Sequence, residues 1–157
     1  MMNLSAVRRV VFLFGSLGLL FGSAAVLAAE SQVIELTQVP CQFLESEKGV
    51  DHGFKSQQLS DCVAINARTQ DDRLKKAKVL RLAAGHYTFR VINKTVPYEL
   101  GFWLRGDGLI NRARLPSTSG GGITTGSHRD YEIELKAGEY VYSCPLNNTP
   151  DYKLVVK

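Results

Sequence analysis

From Val33 onward, apolar side chains recur at every second position, and that period divides the chain into short strands. Val33-Ile34-Glu35-Leu36-Thr37-Gln38 alternates and predicts a first strand ending near Pro40-Cys41. Val79 to Leu82 predicts another, followed by the turn Ala84-Gly85-His86. Tyr87-Thr88-Phe89-Arg90-Val91-Ile92-Asn93 switches between aromatic or branched and polar residues and is the clearest internal strand. Tyr98 to Leu104 predicts the next, ended by the Gly106-Asp107-Gly108 turn, and Pro116 to Gly126 reads as a Ser/Thr/Gly loop. Tyr131 to Leu135 and Tyr140 to Ser143 predict a hairpin across Lys136-Ala137-Gly138-Glu139, with Leu154 to Val156 closing the chain. About six to eight short strands at this spacing imply an all-β antiparallel sandwich.

Two stretches break the period. Between Glu45 and Ile65 the chain turns polar, which predicts an insertion over residues 45–78, pinned by Cys62. Within it, Thr69 precedes Asp71 and Asp72, with Lys75, Lys76 and Lys78 following, the charge order of a short helix. At the other break, Arg8 and Arg9 precede an apolar run from Val10 to Leu27 that ends in Ala28-Ala29. Residues 1–29 therefore read as a signal peptide, with a retained membrane anchor as the competing reading. Cleavage would leave residues 30–157 as a single domain, periplasmic or secreted.

Charge then changes the picture little. Losing Arg8 and Arg9 lowers the formal net charge from +4 to +2, so the basic balance announces neither a nucleic-acid partner nor a membrane surface beyond the signal peptide. Cysteine count changes it more. Cys41, Cys62 and Cys144 all lie in the exported part, where an oxidising compartment pairs two and leaves one over. No Gly-x-Ser-x-Gly, His-Glu-x-x-His or Cys/His arrangement supports hydrolytic catalysis, and Gly120-Gly121-Gly122 lacks the lysine of a phosphate loop. The chain is not expected to be an enzyme.

Three pieces in order, Gly85-x-Tyr87-x-Phe89-x-Val91-x-Asn93, Pro97-Tyr98-Glu99-Leu100 and Gly138-Glu139-Tyr140-x-Tyr142-x-Cys144, resemble the cupredoxin pattern. The resemblance implies a Greek-key β-sandwich with Cys144 delivered to a loop at one end. A blue-copper centre needs His ligands besides the Cys, and often an axial Met. Here Tyr98 or Glu99 stands where the first His belongs, and neither His nor Met follows Cys144. No type 1 site is expected. The chain is more closely similar to the cupredoxin-like domain of EfeO-type periplasmic iron-uptake proteins, which carry an early Cys, a strand Glu and a late Cys. That similarity implies an iron or copper ion held by Cys144, Cys41 and Glu99, and a periplasmic or membrane transport partner.

Each residue has a plainer alternative. Cys144 is equally half of a structural disulfide, and Glu99 the solvent face of a strand whose Leu100, Phe102 and Leu104 point inward. Asn147, Asn148 and Asp151 serve either as hydrogen-bond support for the site or as turn formers. If Tyr87–Asn93 and Tyr140–Cys144 run the same way, His86 sits at the pole opposite Cys144, about 20 Å away at strand rise. His128 is placed far from that end too, and His52 in the insertion. Two functions follow: a secreted metal-binding protein for transport, delivery or sequestration, and a metal-free interaction module stapled by Cys41–Cys62.

Overall fold

The computed structural model describes residues 31–157; the expected signal peptide lies outside the described residues. Alternation becomes nine strands among these residues: β1 (Gln32–Val39), β2 (Gln42–Phe43), β3 (Leu80–Leu82), β4 (Gly85–Asn93), β5 (Leu100–Gly106), β6 (Thr118–Ile123), β7 (His128–Leu135), β8 (Gly138–Ser143) and β9 (Tyr152–Val156). They form two sheets, ordered β2-β1-β4-β7 and β3-β9-β8-β5-β6. Helix α1 (Leu59–Lys76) flanks them, and α2 (Gly108–Arg114) links β5 to β6. No helix among the described residues is long and apolar enough to cross a membrane.

The inward faces are those that the period marks. Tyr87, Phe89 and Val91 meet Leu100, Phe102 and Leu104 across the sandwich, and all are buried. Phe102 sits at the centre, with ring centroids 5.2 Å from Tyr131 and 5.7 Å from Phe89. Each such side chain contributes roughly 1.5–3 kcal/mol through burial, and the tilted and edge-on ring pairs add to it.

Pairing departs from expectation in places where alternation carries no information. Strands β7 and β8 do not form a hairpin: Leu135 ends in one sheet, paired with Gly85, and Gly138 starts the other, paired with Val156. The connection is fixed instead by the Tyr140 hydroxyl, which donates to the Lys136 carbonyl and accepts from the Lys136 N–H. Two pairs, β1 with β4 and β3 with β9, are parallel. The stretch Pro116 to Gly126 holds a real strand, β6, whose glycines let it lie close to its neighbours. A Cβ on Gly120 would come 3.1 Å from the Tyr131 ring, whose hydroxyl donates to the Gly120 carbonyl. The Gly106-Asp107-Gly108 turn opens a helix, α2, that the pattern does not announce.

The largest difference lies in the insertion. Helix α1 begins at Leu59, ten residues before Thr69, behind a capping box between Gln58 and Asp61. It escapes hydrophobic periodicity because it docks through a polar stripe. Cys62, Asn66, Thr69 and Arg73 fall at helical spacing on one face, and three of the four are buried. Arg73 spends its whole guanidinium there. It donates to both Glu47 oxygens, to the Cys41 carbonyl at 3.0 Å, and to Asn66 and Thr69. The Tyr152 hydroxyl also donates to Glu47, and His52 Nε2 lies 2.6 Å from its other oxygen.

Burial pushes the Glu47 pKa up, but the Arg73 and Tyr152 hydrogen bonds, the Arg73 charge and the His52 contact together hold it below the ordinary value of 4.5. A depressed folded-state pKa makes this stabilisation present above the unfolded value and lost as pH falls through the folded one. Arg73→Ala leaves the Glu47 charge buried without its main partner. We expect it to cost about 3–5 kcal/mol in urea unfolding at neutral pH, and the deficit relative to wild type to shrink as pH falls below the ordinary value of 4.5 toward the depressed one. A urea midpoint unchanged by the substitution would remove Arg73 from this role.

Candidate functional site

Strand direction delivers Cys144 as the resemblance implies: β4 and β8 both run toward one end of the sandwich, where Asn93 and Ser143 emerge. Asn93 is fully buried and organises the loop that follows it. Its amide donates to the carbonyls of Val96, Tyr98 and Ile123, and its Oδ1 accepts from Val96 N–H. The chain then re-enters as Leu100-Gly101 directly against Cys144. Gly101 N–H donates to Cys144 Sγ at 3.3 Å, and its carbonyl accepts from Gln38 Nε2 at 2.9 Å. Only glycine fits, since a Cβ would sit 2.6 Å from the Gly120 carbonyl oxygen.

The Cys144 loop is closed on itself. Cys144 N–H donates to Thr149 Oγ1, and its carbonyl accepts from the N–H groups of Asn147 and Thr149. The thiol is fully buried and free. Burial pushes its pKa up; N–H groups of Gly101, Asn147 and Leu146 and the Gln38 amide act in the opposite direction without overcoming it. At neutral pH it is a protonated, enclosed thiol, the inert type of cysteine.

Asn147 is the residue that sequence reasoning undervalued. Fully buried, it accepts from Cys41 N–H at 2.8 Å and donates to the Val39 carbonyl and Gln38 Oε1. Its Oδ1 also lies 3.4 Å from Cys62 Sγ. One amide thus ties the Cys144 loop to β1 and to α1. Asn148 offers its carbonyl to Asn66, and Asp151 pairs with Arg105, so all three are structural.

The three residues expected to share an ion do not assemble. Cys41 is bridged to Cys62, with Cα atoms 5.0 Å apart, so neither sulfur is available as a thiolate. Cys41 takes a left-handed backbone there, φ 66°, held by the Asn147 and Arg73 contacts to its own peptide groups. Glu99 is exposed, and its Oε1 caps Gly122 N–H at 2.8 Å. Among the described residues no group of three or more His, Cys, Asp and Glu side chains could hold a metal. His86 lies at the far pole as expected, paired in register with Glu134. His128 corrects the expectation: it pairs with Ile92 and so stands at the Cys144 end, but exposed.

Two surface features remain. Beside the Glu47–Arg73 pair a cleft of about 390 Å³ opens between the Glu47-to-His52 turn and the end of α1. Above Gly101, a shallower groove of about 300 Å³ runs between Trp103, Gly120-Gly121 and Pro145-Leu146. Of the core aromatics, Tyr87, Phe89, Tyr131 and Tyr142 all face inward and are unavailable to a partner.

No family model and no curated protein matches the sequence. Solved structures do. Auracyanin B superposes with a TM-score of 0.51 at 13% identity, over 87% of this chain and 96% of that one. Reduced rusticyanin follows at 0.43 and 17% identity, covering 82% of each chain. A Cu(I) form of an amicyanin variant gives 0.37 and 15% identity, covering 84% of this chain and 87% of that one. The match to auracyanin B spans nearly the whole of both molecules. The chain therefore has the cupredoxin-like β-sandwich fold. These likenesses carry nothing about EfeO-type domains.

The sealed thiol makes a direct prediction. Native protein should leave Cys144 unmodified by an alkylating agent, and unfolding in urea should expose one reactive thiol. Reducing Cys41–Cys62, which closes a loop of 21 residues, should lower stability by about 3 kcal/mol. Rapid labelling of native protein would show that Cys144 is accessible after all.

Proposed function

We propose that this chain is an exported, metal-free interaction module on a cupredoxin-like scaffold. The observation that supports this reading is the Cys41–Cys62 bridge, which takes up the early Cys of the expected ligand set. Its remaining members stand apart. Cys144 is enclosed beneath Gly101 as a neutral thiol, and Glu99 serves the Gly122 turn. The bridge carries out instead what a small exported domain needs, fastening a polar insertion that apolar burial alone would not hold. The contact surface of the module is the groove over Gly101, where Trp103, Pro145 and the partly exposed Leu146 flank a glycine pair without bulky side chains. A flat patch of this kind suits a segment of a partner protein better than an ion.

The second reading, an iron or copper carrier using Cys144, Cys41 and Glu99, requires the bridge to be open in the exported protein. Differential alkylation without reductant, on protein exported by its own N-terminal segment, separates the two. We expect Cys41 and Cys62 bridged, Cys144 free, and no stoichiometric uptake of Cu(I) or Fe(II) in titration. Cys41 and Cys144 both free, with uptake abolished in a Cys41→Ala, Glu99→Ala, Cys144→Ala triple variant, would replace the module by the carrier.

A further inference from the structure

At the end of the sandwich opposite Cys144, Leu109 and Ile110 are the most exposed large apolar side chains among the described residues, at 85% and 71%. They open α2, and α2 is not a loose turn. A Cβ on Gly106 would come 2.3 Å from the Asn111 backbone, so the helix is pressed onto the end of β5. The Arg112 guanidinium lies 5.6 Å from the centre of the Trp103 ring, and Leu115 packs against Gly138. The two aliphatic side chains are thus held outward by a fixed support.

Strand register places this knob where the chain enters the fold. Gln32 pairs with Tyr87, Gly85 with Leu135, and Gly106 with Tyr140, while the Lys136-Ala137 connection joins the two sheets at that same end. Immediately upstream of Ser31, the sequence runs back into the apolar stretch Val10–Leu27. The charged residues of α2 are Arg112 and Arg114, with no acid in the helix; Lys136 adds a third cation, and Asp107 and Glu139 are the neighbouring carboxylates.

We infer that α2 is a membrane-contact face. Leu109 and Ile110 enter the interface of an anionic lipid bilayer and Arg114 meets its headgroups, in a chain whose N-terminal apolar stretch is retained as an anchor rather than cleaved as a signal peptide. Two adjacent aliphatic side chains beside arginines are the chemistry of an interfacial contact. The patch is built on a helix of seven residues, too small for a stable protein interface, which needs roughly 1,000 Å² or more of shaped surface. A bilayer requires no shape match. The inference stands apart from the module reading, which concerns the other end of the sandwich.

The test uses the full chain in vesicles, with an environment-sensitive nitrobenzoxadiazole label on Ile110→Cys, and on Leu146→Cys as the control at the opposite end. Buried Cys144 does not compete for label. With phosphatidylglycerol present, the label at 110 should shift to the blue and that at 146 should not. Neutral phosphatidylcholine vesicles should give little shift. Leu109→Ser with Arg114→Glu, which spares the Arg112–Trp103 stack, should cut the fraction in contact about tenfold; circular dichroism checks that the fold is retained. A water-like label at 110 on anionic vesicles, or equal shifts at both positions or on both lipids, overturns the inference. So does a blue shift without vesicles that grows with protein concentration, which would make the occupant a second copy.

Discussion

The buried ion pair between Arg73 and Glu47 is the contact on which the non-sandwich part of this molecule depends. Helix α1 has little apolar surface to offer beyond Leu74, so it docks mainly through buried polar side chains. Arg73 solves this by donating at once to a carboxylate from the turn after β2, to the carbonyl of Cys41, and to Asn66 and Thr69 on its own helix. A buried ion pair seldom stabilises more than an apolar cluster of the same size. What this one supplies is direction: five fixed donors accept only one placement of the helix against β2. That placement brings Cys62 opposite Cys41, and the bridge then makes it covalent.

Asn147 extends the same logic to the end of the sandwich. A cupredoxin-like scaffold brings a cysteine loop, the turn after its first strand and the start of β5 close together. In this chain polar side chains fill the space among them. The Asn147 amide satisfies Cys41 N–H and the Val39 carbonyl, and Gln38 satisfies the Gly101 carbonyl. Each of these groups is buried, and leaving one unpaired costs about 1–3 kcal/mol. Removing Asn147 therefore does more than open a turn: it strands the peptide groups of β1 and the bridge together.

How much of this was legible in the sequence follows from what period-2 alternation encodes. It reports which face of a strand is buried, and Leu100, Phe102 and Leu104 are buried as read. It does not report partners, which is why β7 and β8 look like a hairpin but belong to different sheets, and why two parallel pairs pass unseen. It is blind to an element that docks through polar atoms; the spacing of Cys62, Asn66, Thr69 and Arg73 was the available signal for α1. At the site, the resemblance placed Cys144 at one end of the sandwich but carried nothing about its burial, and Glu99 faces outward as the plainer reading held. The three-residue ligand set came from resemblance. It depends on the one fact that alternation and motif both leave open, which of three cysteines finds which, and here Cys41 is bridged to Cys62.

The two ends of the molecule are therefore built on different principles. At the Cys144 end the buried polar groups are closed by hydrogen bonds or a covalent bridge, and a shallow groove runs over the glycine backbone beside Leu146. At the α2 end, the helix is fixed from beneath by Gly106, Trp103 and Leu115, yet its outward side chains meet nothing within the domain. Folding energy does not account for two solvated aliphatic side chains on a rigid support, because burying either against the sheet would stabilise the fold by about 2 kcal/mol. Leaving them in water forgoes that stabilisation at the end where the chain enters the fold, as the membrane-contact inference requires.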